Sequence, residues 1–306
     1  MPLIKNIMAI NRRISCLKGP ESLSFAKKFS ILPEFIAKPP FLITTVRNIG
    51  YKFILIASAL LMLSANEPEK AGTKVSVVVI DPGHGGKDPG THGKNLREKD
   101  VALKISLALG GYIERNMPNV KVIYTRKDDT FIELNERAEI ANRANADLFI
   151  CIHANSVPGR DTQGTETYVM GLHVTEQNFS VSKRENSVML LDENYKEKYE
   201  GFDPSSPESY ILFSLAQSAY QESSLKFAEK IEAQFKNKAG RNSLGVKQAG
   251  FWVLWKTTMP SVLIEVGFLT NQKEEQFLGS LQGQDAMAAS IYRAFKEYKT
   301  QMEAIN

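Results

Sequence analysis

Residues 75–86 read VSVVVIDPGHGG, and this stretch decides how the rest of the chain is parsed. Val75–Ile80 is a continuous, mostly β-branched apolar run, the pattern of a strand buried on both faces. The DPGHGGKDPG that it runs into leaves only a loop, because Gly and Pro at this density break helices and strands alike. A doubly buried strand needs helices over it. Glu98 or Lys99 opens one, with Val101, Ala102, Ile105, Ala108, Leu109 and Tyr112 on one face. Lys121–Thr125 reads as a short strand, Leu134–Ala144 as a helix, and Asp147–His153 (DLFICIH) and Thr165–Met170 as further strands. Glu208–Lys236 reads as one long helix, Phe251–Trp255 and Ser261–Val266 as two more strands, and Ala286–Tyr298 as a closing amphipathic helix. This alternation predicts a single α/β domain over residues 75–300: a mostly parallel twisted sheet with helices on both faces. Residues 172–217 stand apart as a polar, charged, helical insert interrupted by Gly201, Pro204 and Pro207.

The net charge of +4 is unevenly spread. Residues 1–52 carry nine basic and two acidic side chains, which leaves −3 for residues 53–306. The basic character therefore belongs to the N-terminal segment, and the body is not read as a nucleic-acid binder. Phe53–Ala65 is an apolar run of 13 residues, shorter than the roughly 20 that span a bilayer. Its length and the preceding Arg47 and Lys52 fit a signal peptide, with Ala65 at the cleavage point. Uncleaved, the same run would serve as a short anchor. Residues 1–65 are thus expected to be an extension plus an export signal, the part before about residue 46 being an artefact of start-site choice, and residues 66–74 a linker. The expected destination is the periplasm or cell envelope. Of the two cysteines, Cys16 is lost with the signal, and Cys151 sits in an apolar strand as a small core residue.

Three chemically capable side chains fall at strand ends: His84 after the first strand, His153 at the end of DLFICIH, and Glu265 within VLIEVGF. In open α/β sheets, sites collect at the carboxyl edge of the strands. Glu98, opening the helix after the His84 loop, lies on the same edge. Two histidines and a carboxylate form a common catalytic zinc set with an open position for water, and a further carboxylate would shuttle the proton. Glu265, desolvated in an apolar strand, suits that shuttle. Each residue also has an ordinary reading. His84 would hydrogen-bond within its turn, His153 would be a satisfied core histidine, Glu98 would favour the helix dipole, and Glu265 would pair with a buried Arg126 or Arg137. His92 and His173 read as surface residues.

Taken in order, VVVIDPGHGGKDPG, REKD at Arg97–Asp100, TRKDD, LNERAEIANRANADLFICIHAN and PSVLIEVGFLTN resemble the zinc-dependent N-acetylmuramoyl-L-alanine amidases. The resemblance runs from about Val75 to the last helix. It implies zinc ligands at His84, Glu98 and His153 and a catalytic carboxylate at Glu265. Cys151 departs from the serine expected there, at a position that is not a ligand. The implied reaction is hydrolysis of the amide between N-acetylmuramic acid and L-alanine in peptidoglycan, used in wall remodelling and daughter-cell separation. The insert resembles the helical region that closes the cleft in regulated members until an activator protein binds. Within it, Arg184–Tyr199 is the candidate plug, with Val188, Leu191, Tyr195 and Tyr199 expected on one helical face and Glu185, Asp192, Glu193 and Glu197 as acids able to reach the zinc. The alternatives are a non-catalytic wall-binding or activator protein, which should lack one of the four residues, and a zinc amidohydrolase acting on another amide.

Overall fold

A computed structural model describes residues 74–304, leaving out 160, 173–174, 212 and 214–218. The export signal, Cys16, nearly all of the 66–74 linker and His173 lie outside the described residues. The elements in chain order begin with β1 (Val77–Pro82), α1 (Glu98–Asn116), β2 (Lys121–Tyr124), α2 (Leu134–Arg143), β3 (Leu148–Asn155) and β4 (Thr165–Met170). Next come α3 (Glu176–Asn186), a 3-10 turn (Ser187–Leu191), α4 (Tyr195–Lys198) and a second 3-10 turn (Pro207–Tyr210). The chain ends with α5 (Gln221–Lys238), β5 (Ser243–Ala249), α6 (Trp252–Trp255), β6 (Ser261–Phe268), α7 (Gln272–Gly279) and α8 (Leu281–Glu303).

The strands form one six-stranded sheet in the order β2-β1-β3-β6-β4-β5. Every neighbouring pair is parallel except β4 with β6, which is antiparallel. Alternation along the strands sends Val78, Ile80, Ile150, Ile152 and Ile264 to one face, where they pack on Ile105 and Leu109 of α1, Phe227 and Ile231 of α5, and Ile291 and Phe295 of α8. Val79, Phe149, Cys151, Tyr168 and Leu263 point to the other face. That face is covered by Ala141 of α2, Phe179 of α3, Met189, Tyr199, Phe202 and Tyr210 of the insert, and Trp252 of α6. The sheet is thus covered on both faces, and the insert supplies much of the second layer. Among the described residues, no helix is long and apolar enough to cross a membrane.

Three expectations need correction. Phe251–Trp255 is not a strand; Trp252–Trp255 is a single helical turn. A short apolar run does not separate the two states by periodicity, and here the indole of Trp252 packs edge-on to Tyr199 at 5.3 Å. The helix expected to run unbroken from Glu208 to Lys236 is interrupted: Pro207–Tyr210 is a 3-10 turn, Ala219 and Tyr220 form a turn, and a helix runs from Gln221 to Lys238. Arg184–Tyr199 is not one helix. Asp192 is extended and Asn194 takes a left-handed conformation with φ of 60°, so Tyr199 is buried while Leu191 is exposed. The strand β5 was not foreseen; only Ala249, of its seven residues, is fully buried, so it carries no apolar signature.

Candidate active site and metal centre

The carboxyl edge of the sheet gathers the site. The turn after β1 presents His84, and β3 presents His153 beside Glu265 of β6 as a parallel register pair. Glu98 stands at the first position of α1. Two buried arginines hold the turn. Arg137 donates to Asp81 Oδ1 and Pro82 O, both at 2.8 Å, and to His84 O at 2.6 Å. Arg126 donates to Pro82 O, Gly83 O and Lys99 O at 2.7–3.0 Å. These contacts satisfy carbonyls that a Gly-Pro turn leaves without backbone partners. They also support His84 at φ of 60°, a conformation that costs energy outside glycine. Neither arginine is the partner of Glu265. Gly83 is needed for close approach, since a Cβ there would lie 2.5 Å from the His153 ring.

Four buried residues converge: His84, Glu98, His153 and Glu185, whose ligand atoms all lie within 4.8 Å of one another. Glu98 Oε1 is 3.0 Å from His84 Nε2 and 2.9 Å from His153 Nδ1. Glu185 Oε2 is 3.2 Å from His84 Nε2 and 3.1 Å from His153 Nδ1. Ligands about 2.0–2.2 Å from a tetrahedral zinc sit about 3.3–3.6 Å apart, a separation inside the range of 2.9 Å to 4.8 Å spanned by these atoms, so small shifts would seat a cation between them. His84 Nε2 and Glu185 Oε2 are buried and make no hydrogen bond of acceptable geometry. The other nitrogen of His84, Nδ1, lies 2.7 Å from Asp88 Oδ2, the carboxylate support that fixes tautomer and ring orientation in metal sites. Glu98 is oriented by Thr91 N at 2.8 Å and Ala154 N at 3.0 Å. These residues therefore fit a divalent metal of the zinc type.

The electrostatics agree. Burial works against a charge on His84, but Glu98, Asp88 and Glu185 outweigh it and hold the imidazole well above its ordinary range. Burial likewise opposes protonation of His153, while Cys151 and Glu185 favour it. The Cys151 thiol is itself pushed up to about 12, chiefly by burial, so it is neutral and Glu185 is the effective partner. Glu98 falls to about 2 against the cost of burial, drawn down by His84. The pocket thus calls for positive charge at its centre. Glu265 behaves in the opposite sense: burial first, then Glu185, raises its carboxyl well above the ordinary value despite Arg184. Both its oxygens are buried without a hydrogen-bond partner.

The family model described as N-acetylmuramoyl-L-alanine amidase matches residues 78–297. This chain belongs to the N-acetylmuramoyl-L-alanine amidase family. It is 35% identical over 245 residues to the amidase AmiC of Escherichia coli O6:H1, covering 77% of this chain and 56% of that protein. It is 33% identical over 238 residues to AmiA of Escherichia coli K12, covering 77% of this chain and 80% of that protein. The chain thus spans little more than half of AmiC but most of AmiA. Among solved structures, the amidase of Clostridium difficile 630 aligns with a TM-score of 0.56 at 27% identity, over 74% of this chain and 97% of that one. AmiC2 of Nostoc punctiforme aligns with a TM-score of 0.51 at 31% identity, over 74% and 98%.

All four residues singled out in the sequence come together at this edge of the sheet, His84, Glu98 and His153 in the cluster and Glu265 beside His153. The structure adds three more. Asp88, four residues after His84 in DPGHGGKD, was visible only as part of a loop. Glu185 was one of four acids in the insert, and only the fold selects it. Arg184 was not singled out. It donates to Glu185 Oε1 at 2.8 Å and stands 3.6 Å from Glu265 Oε1.

Proposed function

We propose that this protein hydrolyses the amide joining N-acetylmuramic acid to the L-alanine of the peptidoglycan stem peptide, and that the described conformation is its closed state. The observation that carries this reading is the buried His84–Glu98–His153–Glu185 cluster lying against Glu265, whose oxygens are buried without a hydrogen-bond partner. His84, Glu98 and His153 would hold zinc through Nε2, Oε1 and Nδ1. When bound, zinc supplies Lewis acidity, polarising an amide carbonyl and lowering the pKa of water toward about 7. Asp88 keeps the proton of His84 on Nδ1, so that Nε2 faces the pocket. Glu265, disposed by burial to carry a proton, takes one from the attacking water and delivers it to the leaving amine.

Catalytic zinc needs a position open to water. Glu185 Oε2 fills the fourth corner of the cluster, and Arg184 faces Glu265. Together they block both the water and the proton shuttle, which makes the insert an autoinhibitory plug. The reading extends to an activator protein that shifts the insert, to export by Phe53–Ala65 into the periplasm or cell envelope, and to a role in daughter-cell separation. The membrane would be met only through that segment.

The test is release of stem peptides from purified peptidoglycan by zinc-loaded protein, comparing the native chain with Glu185→Ala and with Glu185→Ala carrying Glu265→Ala. Low native activity, a gain in the first variant and its loss in the second are expected. Folded, zinc-loaded Glu185→Ala that releases nothing would overturn the reading.

A further inference from the structure

Arg184 does more than flank Glu185. Its Nη1 donates to Ser156 O at 2.9 Å and its Nη2 to Asn155 Oδ1 at 2.9 Å, with Glu265 Oε1 at 3.6 Å from the same Nη2. Three acceptors on the carboxyl edge of β3 and β6 thus face one guanidinium. A guanidinium is a donor only, so whatever replaces it must also bring N–H groups. Otherwise Asn155, fully buried, would have an acceptor left facing the cleft.

Asn155 is built to present that acceptor. Its Nδ2 donates to Glu166 Oε2 at 2.9 Å, and its Oδ1 also accepts from Ser156 N at 2.7 Å. Reversing the amide would set oxygen against a carboxylate and NH2 against two donors, so the orientation is fixed. Glu166 is in turn held by the Tyr168 hydroxyl at 2.9 Å and by Lys247. Buried Asn155, Glu166 and Tyr168, with the half-buried Lys247, therefore aim one amide oxygen at the place where Arg184 now sits. Directly downstream, Val157, Pro158 and Gly159 line a cavity of about 490 Å³ together with Lys94, Thr270 and Glu275, and Val157 N donates to Thr270 Oγ1 at 3.4 Å. That volume is in the range of small-ligand sites.

We propose that Asn155 Oδ1 and the Ser156 carbonyl are substrate-positioning acceptors for stem-peptide N–H groups on the leaving side of the scissile amide, and that Arg184 occupies them in the closed chain. The proposal rests on the amidase reading of this site. The leaving side is assigned because Glu265, which serves the leaving nitrogen, borders the same guanidinium. The peptide then continues along residues 157–159 into the cavity, where Lys94 meets its carboxylates.

The experiment is calorimetric binding of the free tripeptide L-alanyl-γ-D-glutamyl-L-lysine, and separately of N-acetylmuramic acid, to the full zinc-loaded chain. Arg184→Ala should bind the tripeptide at least tenfold more tightly than the native protein. Adding Asn155→Ala should weaken tripeptide binding by roughly five- to tenfold, the order of one lost hydrogen bond, and leave N-acetylmuramic acid binding unchanged. If Asn155→Ala does not fold, Asn155→Ser, too short to reach, replaces it. A double variant that binds the tripeptide as tightly as Arg184→Ala overturns the proposal. So does an equal loss for both ligands, which marks a merely structural role, or an Arg184→Ala variant with no gain. Binding needs no turnover. Tight tripeptide binding by Arg184→Ala, together with no peptide release from peptidoglycan by Glu185→Ala, would sink the amidase reading and leave the subsite standing.

Discussion

Replacing Arg137 by methionine should be the most damaging single change near the site at a residue that is itself neither a metal ligand nor a substrate contact. Arg137 is 1% exposed and Asp81 fully buried; their ion pair at 2.8 Å lies under the His84 turn. Breaking one side of a buried pair costs about 3–5 kcal/mol, because the other charge stays behind. That is about a hundredfold to a few thousandfold in the folding constant. The loss should depend on pH in a definite sense. Burial would raise the Asp81 carboxyl, but Arg137, Cys151 and Thr125 outweigh it and hold it below 3.8. In the native protein Asp81 therefore contributes stability that is complete above its unfolded value and lost as pH falls through the lower folded one. In Arg137→Met burial dominates and the folded value rises above the unfolded one. The penalty then grows as pH climbs through that range. Urea unfolding of both proteins at pH 4.5 and 7.5 gives the difference directly, with other carboxylates cancelling. A difference below about 1 kcal/mol at pH 7.5, or one that does not shrink at pH 4.5, would refute the reasoning.

Two further outcomes follow from the same geometry. Glu265→Gln should lose peptide release almost completely, a fall of at least about a hundredfold, while elemental analysis finds the zinc content unchanged, since Glu265 is outside the four-atom cluster. Zinc in hundredfold excess over its Kd should stabilise the fold by about 2.7 kcal/mol, seen as a higher Tm that a chelator reverses; a Tm indifferent to both would count against a metal at this cluster.

The sheet was legible because its central strands are buried on both faces. VVVI, LFICI and SVLIEV need no partner information to be read as strands, and the residues at their ends follow from where such strands stop. The edge was not legible. Ser243–Ala249 is half exposed and its apolar content is low, so pairing with β4 creates the strand. Trp252–Trp255 was misassigned because burial by aromatic neighbours, invisible in sequence, favours a helical turn. His84, Glu98, His153 and Glu265 could be named because each is a polar group in a setting that needs a reason for it. Glu185 could not be separated from Asp192, Glu193 and Glu197. What separates it is tertiary: α3 runs its last turn over the carboxyl edge of β1 and β3, and Asp192 instead accepts from the Tyr199 hydroxyl.

The same tertiary packing limits how the plug can move. Phe179, Tyr199, Phe202, Tyr210 and Phe213 of the insert are buried against the second face of the sheet. At about 1.5–3 kcal/mol for each large side chain, lifting the whole insert would cost more than about 7 kcal/mol, comparable with the stability of a domain. The contacts made by Arg184 and Glu185 are instead polar, and the following turn exposes Leu190 and Leu191. Opening is therefore expected to be local, at a cost of about 1.5–3 kcal/mol for withdrawing the buried Met189: the last turn of α3 and Ser187–Leu191 move, while the aromatic layer stays. Hydrogen exchange on the Arg184→Ala, Glu185→Ala double variant checks this. Amides of residues 184–191 should exchange faster than in the native protein, and those of 178–181 and 199–211 should keep their protection. Loss of protection across all these segments together would show that plug and aromatic layer unfold as one unit. Activation would then have to be driven by a partner that covers the exposed sheet face.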